Sequence, residues 1–229
     1  MPRLGDSRLA LLESLGERYG LLPVPGVGPF SDPFEAITAV ALALVAESRT
    51  AAAALAALRD AGLLDPGRLA VINPLELDDI FQQARVKLDS KLLRPLQKLA
   101  GWVSERDLGA DGLGQLSTES LREAWRSLRG IGPATADALL LFGLERATYP
   151  VDRASYRIMV RHGWLDPSSD YDEARSTLES IALDDPATLA QVALGFEKLG
   201  REVCKPGTSR CDRCPLQPLL PDGGPIEEA

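Results

Sequence analysis

The longest apolar run of the chain lies near its start and predicts a buried helix. Residues 34–45 are apolar at almost every position, so we expect a helix that is buried on all sides at the centre of a bundle. The residues before it favour a helix start: Asp32 can cap the helix, and Pro33 suits the first helical position. Glu35 is placed to reach back and complete a capping box.

A second clear pattern follows Ser117-Thr118-Glu119, where apolar residues recur at i, i+3, i+4 and i+7. The face consists of Leu121, Ala124, Trp125 and Leu128. After the turn Gly130-Ile131-Gly132, Pro133 opens a helix that we expect to run through Leu144. The glycines of the turn permit positive φ and leave backbone N–H groups uncovered at the start of the next helix. Such a helix start can bind a phosphate oxygen without a charged side chain.

The remaining pattern is also helical. Further helices are predicted over 50–61 with Gly62 as the C-cap, 74–83, 90–104 with a kink or true start at Pro95, 152–162, 171–182 and 186–204. We interpret 109–114 as a glycine-rich loop and find no convincing strand. The predicted fold class is therefore all-α, with short connections between packed helices.

Composition agrees with this picture. Apolar residues make up 45% of the 229 positions and aromatic residues 5%, and Ala and Leu dominate over the β-branched residues that favour strands. No apolar run is long enough for a membrane span and no signal peptide is evident, so we expect a soluble intracellular, cytoplasmic protein. The net charge of −8 predicts weak, salt-sensitive binding to nucleic acid, although six arginines gather between residues 120 and 162. These are Arg122, Arg126, Arg129, Arg153, Arg157 and Arg161.

All three cysteines lie near the C-terminus, at Cys204, Cys211 and Cys214. An odd, clustered set of this kind favours metal or cluster ligation over a disulfide framework. The single histidine, His162, ends a predicted helix and is expected to interact with the carbonyl groups there.

Two of these motifs together resemble the endonuclease III superfamily of helix-hairpin-helix DNA glycosylases. The first is Gly130-Ile131-Gly132 with Thr135-Ala136-Asp137, followed by Val151-Asp152; the second is the Cys-x6-Cys-x2-Cys spacing. The resemblance runs from about residue 34 to 214. The residues around Ala136 and Asp152 are most similar to those of the branch that contains the 3-methyladenine glycosylases of endonuclease III type.

The resemblance implies an architecture and a function. It implies two helical lobes flanking a DNA-binding cleft: a six-helix barrel at 32–146, and a second lobe from 1–31 and 147–229 that carries an iron–sulfur loop at 204–222. A monomer would flip a damaged base out of double-stranded DNA and cleave its glycosidic bond, with Asp152 as the catalytic carboxylate. Abasic sites are the other expected DNA ligand. The DNA-gripping residues implied are Arg129, Gly130, Ile131, Gly132, Ala134 and Thr135, with Glu47 where the family often has a glutamine that fills the space left by the flipped base.

Two further departures from the family pattern leave alternatives open. Ala134 stands where lyase-type members carry a lysine, so we predict a monofunctional glycosylase that uses water. A lyase with a displaced lysine, Lys91 or Lys198, and a non-catalytic relative that binds damaged DNA are the alternatives. Leu220 stands at the fourth cysteine, so the predicted [4Fe–4S] cluster would be completed by Asp222 or solvent; zinc or no metal are the other possibilities.

Overall fold

The computed structural model describes residues 4–25, 28, 30, 32–108, 110–182, 184–207 and 209–226. Over these residues the chain is helical, with one isolated pair of bridging residues, Cys204 and Ser209, and no strand. The predicted all-α class is confirmed. No helix in the described part of the chain is both long and apolar enough to cross a membrane.

The chain folds into two compact units. The central unit comprises residues 25–146, and the terminal unit comprises residues 1–24 together with 147–229. The helices of the central unit are α2 (Pro33–Ala43), α3 (Ser48–Asp60), α4 (Pro66–Val71), α5 (Pro74–Gln83), α6 (Arg94–Glu105), α7 (Ala110–Gln115), α8 (Thr118–Arg126) and α9 (Pro133–Ala138). The helices of the terminal unit are α1 (Leu4–Tyr19), α10 (Arg153–Arg161), α11 (Tyr171–Glu179) and α12 (Pro186–Glu202).

Helix α2 forms the centre of its unit, as its sequence predicts. Seven of its eleven residues are buried, and Asp32 caps it by accepting from the Phe34 N–H at 2.8 Å. The predicted capping box does not form, because the Glu35 carboxylate pairs with Arg59 of α3. The hydrogen bond to the charged Arg59 side chain is stronger than the backbone N–H contact that the capping box would have given Glu35.

Helix α9 continues without a break into one wide turn of π-helix, Leu139–Gly143. Its apolar residues are buried against α2, and Gly143 permits the close approach: a Cβ there would lie 3.2 Å from the Ile37 Cα. Helix α9 and its π-helical extension are thus anchored to the central helix of the unit.

The structure corrects one further prediction and decides between two alternatives that the sequence left open. The segment predicted as a glycine-rich loop forms α7, although residue 109 lies outside the described part. Leu113 is 1% exposed, and this burial offsets the low helix propensity of Gly112 and Gly114. Pro95 lies in the first turn of α6 and therefore marks a helix start, with a short 3-10 helix, Ser90–Leu93, in front of it.

Candidate active site and nucleic-acid interface

Asp152 is the capping residue of α10. Its backbone is extended, with φ −99° and ψ 174°, and its Oδ1 accepts a hydrogen bond from the Ser155 N–H at 2.6 Å. The residue is half-buried, so one carboxylate oxygen is held by the helix start while the group remains partly accessible. The capping role that the sequence suggested for Asp152 is therefore present, and it holds the carboxylate rigidly.

The residues leading into Asp152 are fixed from the same unit. The Thr148 hydroxyl donates to Glu179 Oε1 at 2.8 Å, and the Val151 N–H donates to the Tyr171 hydroxyl at 3.4 Å. Both partners belong to α11. No motif in the sequence singles out these partners, because they lie 20 and 31 residues along the chain from the residues that they bind.

Tyr149 adds a third, fully buried anchor. Its hydroxyl lies 3.0 Å from the Ser155 Oγ, and neither side chain is more than 1% exposed. Burial raises the pKa of Tyr149 far above its usual value, and the negative charge of nearby Asp152 acts in the same direction. The phenol therefore stays protonated and serves as a hydrogen-bonding group.

The hairpin between α8 and α9 lies in the central unit. Gly130 has φ +100°, and a Cβ at this position would lie 3.0 Å from Pro95 Cγ. Gly132 differs from the sequence expectation: its φ is −81°, which any residue adopts, and a Cβ there would meet nothing within 4 Å. Only the first glycine of the turn is thus required by backbone conformation.

Gly132 caps α9, and no side chain caps the N-terminus of this helix. Pro133 has no N–H, so the N–H groups of Ala134 and Thr135 are the free donors of the first turn. Arg129 and Gly132 are exposed, Ala134 and Thr135 are half-buried, and Ile131 is buried with 4% exposure. Ile131 can offer an external ligand only its backbone.

A buried ion pair that the sequence analysis did not single out joins the two helices of the hairpin. Arg122 Nε of α8 donates to Asp137 Oδ1 of α9 at 2.8 Å, and Asp137 is fully buried. The six-arginine cluster is accordingly smaller than the sequence suggested. Arg122, Arg157 and Arg161 are at most 8% exposed and bind protein groups, which leaves Arg126, Arg129 and Arg153 nearer the surface.

Four other side chains were candidates from the sequence: Glu47, Lys91, Lys198 and His162. Glu47 is exposed at the capping position of α3, and its side chain makes no capping bond. Lys198 places its ammonium 4.9 Å from the centre of the Tyr19 ring, while Lys91 is exposed in the 3-10 helix of the central unit. His162 meets the expectation, because its Nδ1 lies 2.8 Å from the Ile158 carbonyl oxygen at the end of α10.

The three cysteines line one small cavity in the terminal unit. The cavity measures about 10 Å³, and Leu220 lines it as well. Burial raises the pKa of the Cys214 thiol to about 11. Asp222 is exposed and is not among the residues around the cavity.

These residues do not fit a [4Fe–4S] cluster. A cluster prefers four ligands, whereas Leu220, which stands where the resemblance implies a fourth cysteine, lines the cavity and has no ligating atom. Within the described residues, no group of three or more His, Cys, Asp or Glu side chains is arranged to hold a metal ion. The three cysteines of the predicted set are therefore brought to one cavity, whereas Asp222 is not.

Comparison with known proteins gives relatives of one kind, although no family model matches the chain. A protein from Methanocaldococcus jannaschii, provisionally named a DNA repair glycosylase, is 24% identical over 64% of this chain and 74% of its own length. Endonuclease III of Sulfolobus acidocaldarius is 24% identical over 83% of this chain and 82% of its own.

Solved structures show the same fold. A non-covalent endonuclease III–DNA complex matches with a TM-score of 0.65 and 19% identity over 96% of each chain. The 3-methyladenine DNA glycosylase of H. pylori, bound to an ethenoadenine, matches with a TM-score of 0.63 and 18% identity over 85% of this chain and 97% of its own. The fold resemblance implied by the sequence motifs is thereby confirmed.

Proposed function

Because this chain resembles the endonuclease III-like superfamily in both sequence and fold, we propose that it is a DNA glycosylase of base-excision repair. The observation that carries the proposal is the Asp152 carboxylate, which is held by the Ser155 N–H at the start of α10 and remains partly accessible. DNA is the proposed partner, and the relatives named for DNA repair support it.

Asp152 suits the chemistry of glycosidic bond cleavage. As the bond between the base and C1′ of the sugar breaks, its electron pair leaves with the base and positive charge develops on the sugar. A nearby carboxylate stabilises that charge, and it can accept a proton from the water molecule that adds to C1′. The target nucleotide must first leave the base stack, because its sugar carbon is inaccessible in a duplex.

The hairpin supplies a grip on the DNA backbone in this proposal. The first-turn N–H groups of Ala134 and Thr135 are free donors, and the helix dipole favours an anion at the same end. The open space beside Gly132 lets a phosphate approach the backbone closely. Arg129 adds an exposed positive charge next to this turn.

The proposed reaction ends with an intact abasic site. Ala134 cannot form a Schiff base with the sugar, so water is the nucleophile and strand cleavage is weak or absent. The steps use side chains of this chain and water, and none of them depends on the cysteine segment. Alkylated purines are the first substrates to test, in view of the branch that the motifs resemble.

The experiment uses a panel of lesion-bearing duplexes, assayed with and without alkali. Alkali cleaves abasic sites, so it separates base removal from strand cleavage. We expect product only after alkali, and little covalent complex after borohydride treatment. Efficient borohydride trapping at neutral pH would show a lyase with a displaced lysine, and duplex binding without base release across the panel would show a non-catalytic relative.

Asp152→Asn tests the residue that carries the proposal. Asparagine can still cap α10, but it cannot neutralise a developing cation. We expect the fold and DNA binding to persist while base release falls by about two orders of magnitude or more. Asp170→Asn is the matched control, because Asp170 caps α11 in the same unit and also accepts from the N–H three residues further on. Near-normal base release by Asp152→Asn would remove the assigned role.

A further inference from the structure

The C-terminal segment, residues 204–226, is tied to the end of α10 by three buried side chains. Arg157 Nε donates to the Cys204 carbonyl oxygen at 2.8 Å. Arg161 Nη1 donates to the Lys205 carbonyl oxygen at 2.9 Å and to Cys204 Sγ at 3.3 Å. His162 Nε2 lies 3.2 Å from the Leu216 carbonyl oxygen.

The backbone of α10 secures the far end of the same segment. The Ile226 N–H donates to the Arg161 carbonyl oxygen at 2.9 Å, beside Gly163, whose Cβ would lie 3.1 Å from the Ile226 Cδ1. The segment is thus attached at its start, its middle and its end to one helix terminus.

Apolar side chains fill the interior of the segment. Leu216 is fully buried, and Val203, Leu220 and Pro225 line the small cavity together with the three cysteines. Leu220 lines this cavity and has no atom that can ligate iron.

We infer that the C-terminal segment is held by Arg157, Arg161, His162 and its own apolar side chains, and that it carries neither an iron–sulfur cluster nor a zinc ion. An iron–sulfur cluster would order such a segment by linking four thiolates through the metal centre. In this chain, hydrogen bonds from a neighbouring helix and apolar packing perform that task. The inference is independent of the proposed glycosylase activity, because it concerns how one segment is held.

Metal analysis of the full-length protein is the direct test. Protein purified without oxygen, and the same protein after incubation with ferrous iron and sulfide under reducing conditions, should contain well below one iron per chain and no visible charge-transfer absorption. A cluster would instead give about four irons per chain. Four irons, or one zinc ion, per chain would overturn the inference.

Limited proteolysis within residues 204–226 tests what holds the segment. Cleavage of the wild type should be unchanged by strong chelators of iron and zinc, and faster cleavage with a chelator would contradict the inference. Arg161→Met should raise the cleavage rate about tenfold or more, since the Lys205 carbonyl oxygen and Cys204 Sγ lose the donor that Arg161 supplies. Arg201→Met is the matched control, because Arg201 is an exposed arginine of α12 that pairs with Glu197 of the same helix. Equal cleavage of both variants would show that Arg161 does not hold the segment.

Discussion

Asp152 shows how a single side chain can be a structural residue and a candidate catalyst. Its Oδ1 accepts the Ser155 N–H at 2.6 Å, and this bond restricts the carboxylate to one orientation. Ser155 is in turn held by the buried Tyr149 hydroxyl. A rigid carboxylate is what stabilisation of a developing charge requires, since no reorganisation is then needed during the reaction.

The buried pair of Arg122 and Asp137 joins the two helices of the hairpin. Asp137→Ala should lower the free energy of unfolding by about 1–3 kcal/mol, because it removes a buried charged hydrogen bond while the Arg122 guanidinium keeps its contact with Glu119. Denaturant unfolding measures the effect. Glu123→Ala, an exposed position on α8, the helix of Arg122, is the control and should change stability by less than about 0.5 kcal/mol. A loss as small as that for Asp137→Ala would contradict the structural role of the pair.

At the scale of elements, the hairpin of α8 and α9 was predictable because the residues that determine its helix starts lie next to them in the sequence. Ser117 caps α8 by accepting from the Ser120 N–H, and Pro133 opens α9 as its position suggests. The misassigned elements depend on distant partners: α7 forms through burial of Leu113, and Glu35 leaves its predicted cap for Arg59. Local patterns carry no information about such partners.

The two hairpin glycines give a prediction that separates folding from DNA binding. Gly132→Ala should leave stability nearly unchanged, because its φ is ordinary and its Cβ would meet nothing, yet it should weaken DNA binding about tenfold by crowding the phosphate. Gly130→Ala should lower the free energy of unfolding by about 1–2 kcal/mol, since alanine is strained at φ +100°. Thermal unfolding and fluorescence anisotropy with a duplex measure the two effects. Unimpaired DNA binding by Gly132→Ala would argue against a phosphate at this turn.

At the scale of the whole molecule, the net charge of −8 would disfavour DNA binding if the charge were spread evenly over the surface. Binding depends on the few cations that remain accessible, and the structure leaves fewer of them than the sequence suggested. Arg129 and Arg153 are exposed, whereas Arg157 is 7% exposed and bonded to Cys204.

The salt dependence of DNA binding tests which arginines face phosphates. Arg129→Gln and Arg153→Gln should each reduce the slope of log affinity against log salt by about 0.9, the contribution of one phosphate contact. Arg157→Gln should leave the slope unchanged and lower stability instead, because its guanidinium is buried. A reduced slope for Arg157→Gln would place that arginine at the DNA.

The sequence by itself determined the all-α class, most helix starts and the position of the candidate carboxylate. These features follow from apolar spacing, from caps and prolines, and from short motifs, all of which act within a few residues. Only the tertiary structure decided which arginines are buried, which glycine needs positive φ, and that Leu220 lines the cysteine cavity while Asp222 stays exposed. Burial and ion pairing depend on residues brought together from distant parts of the chain, and the order of residues alone does not record those contacts.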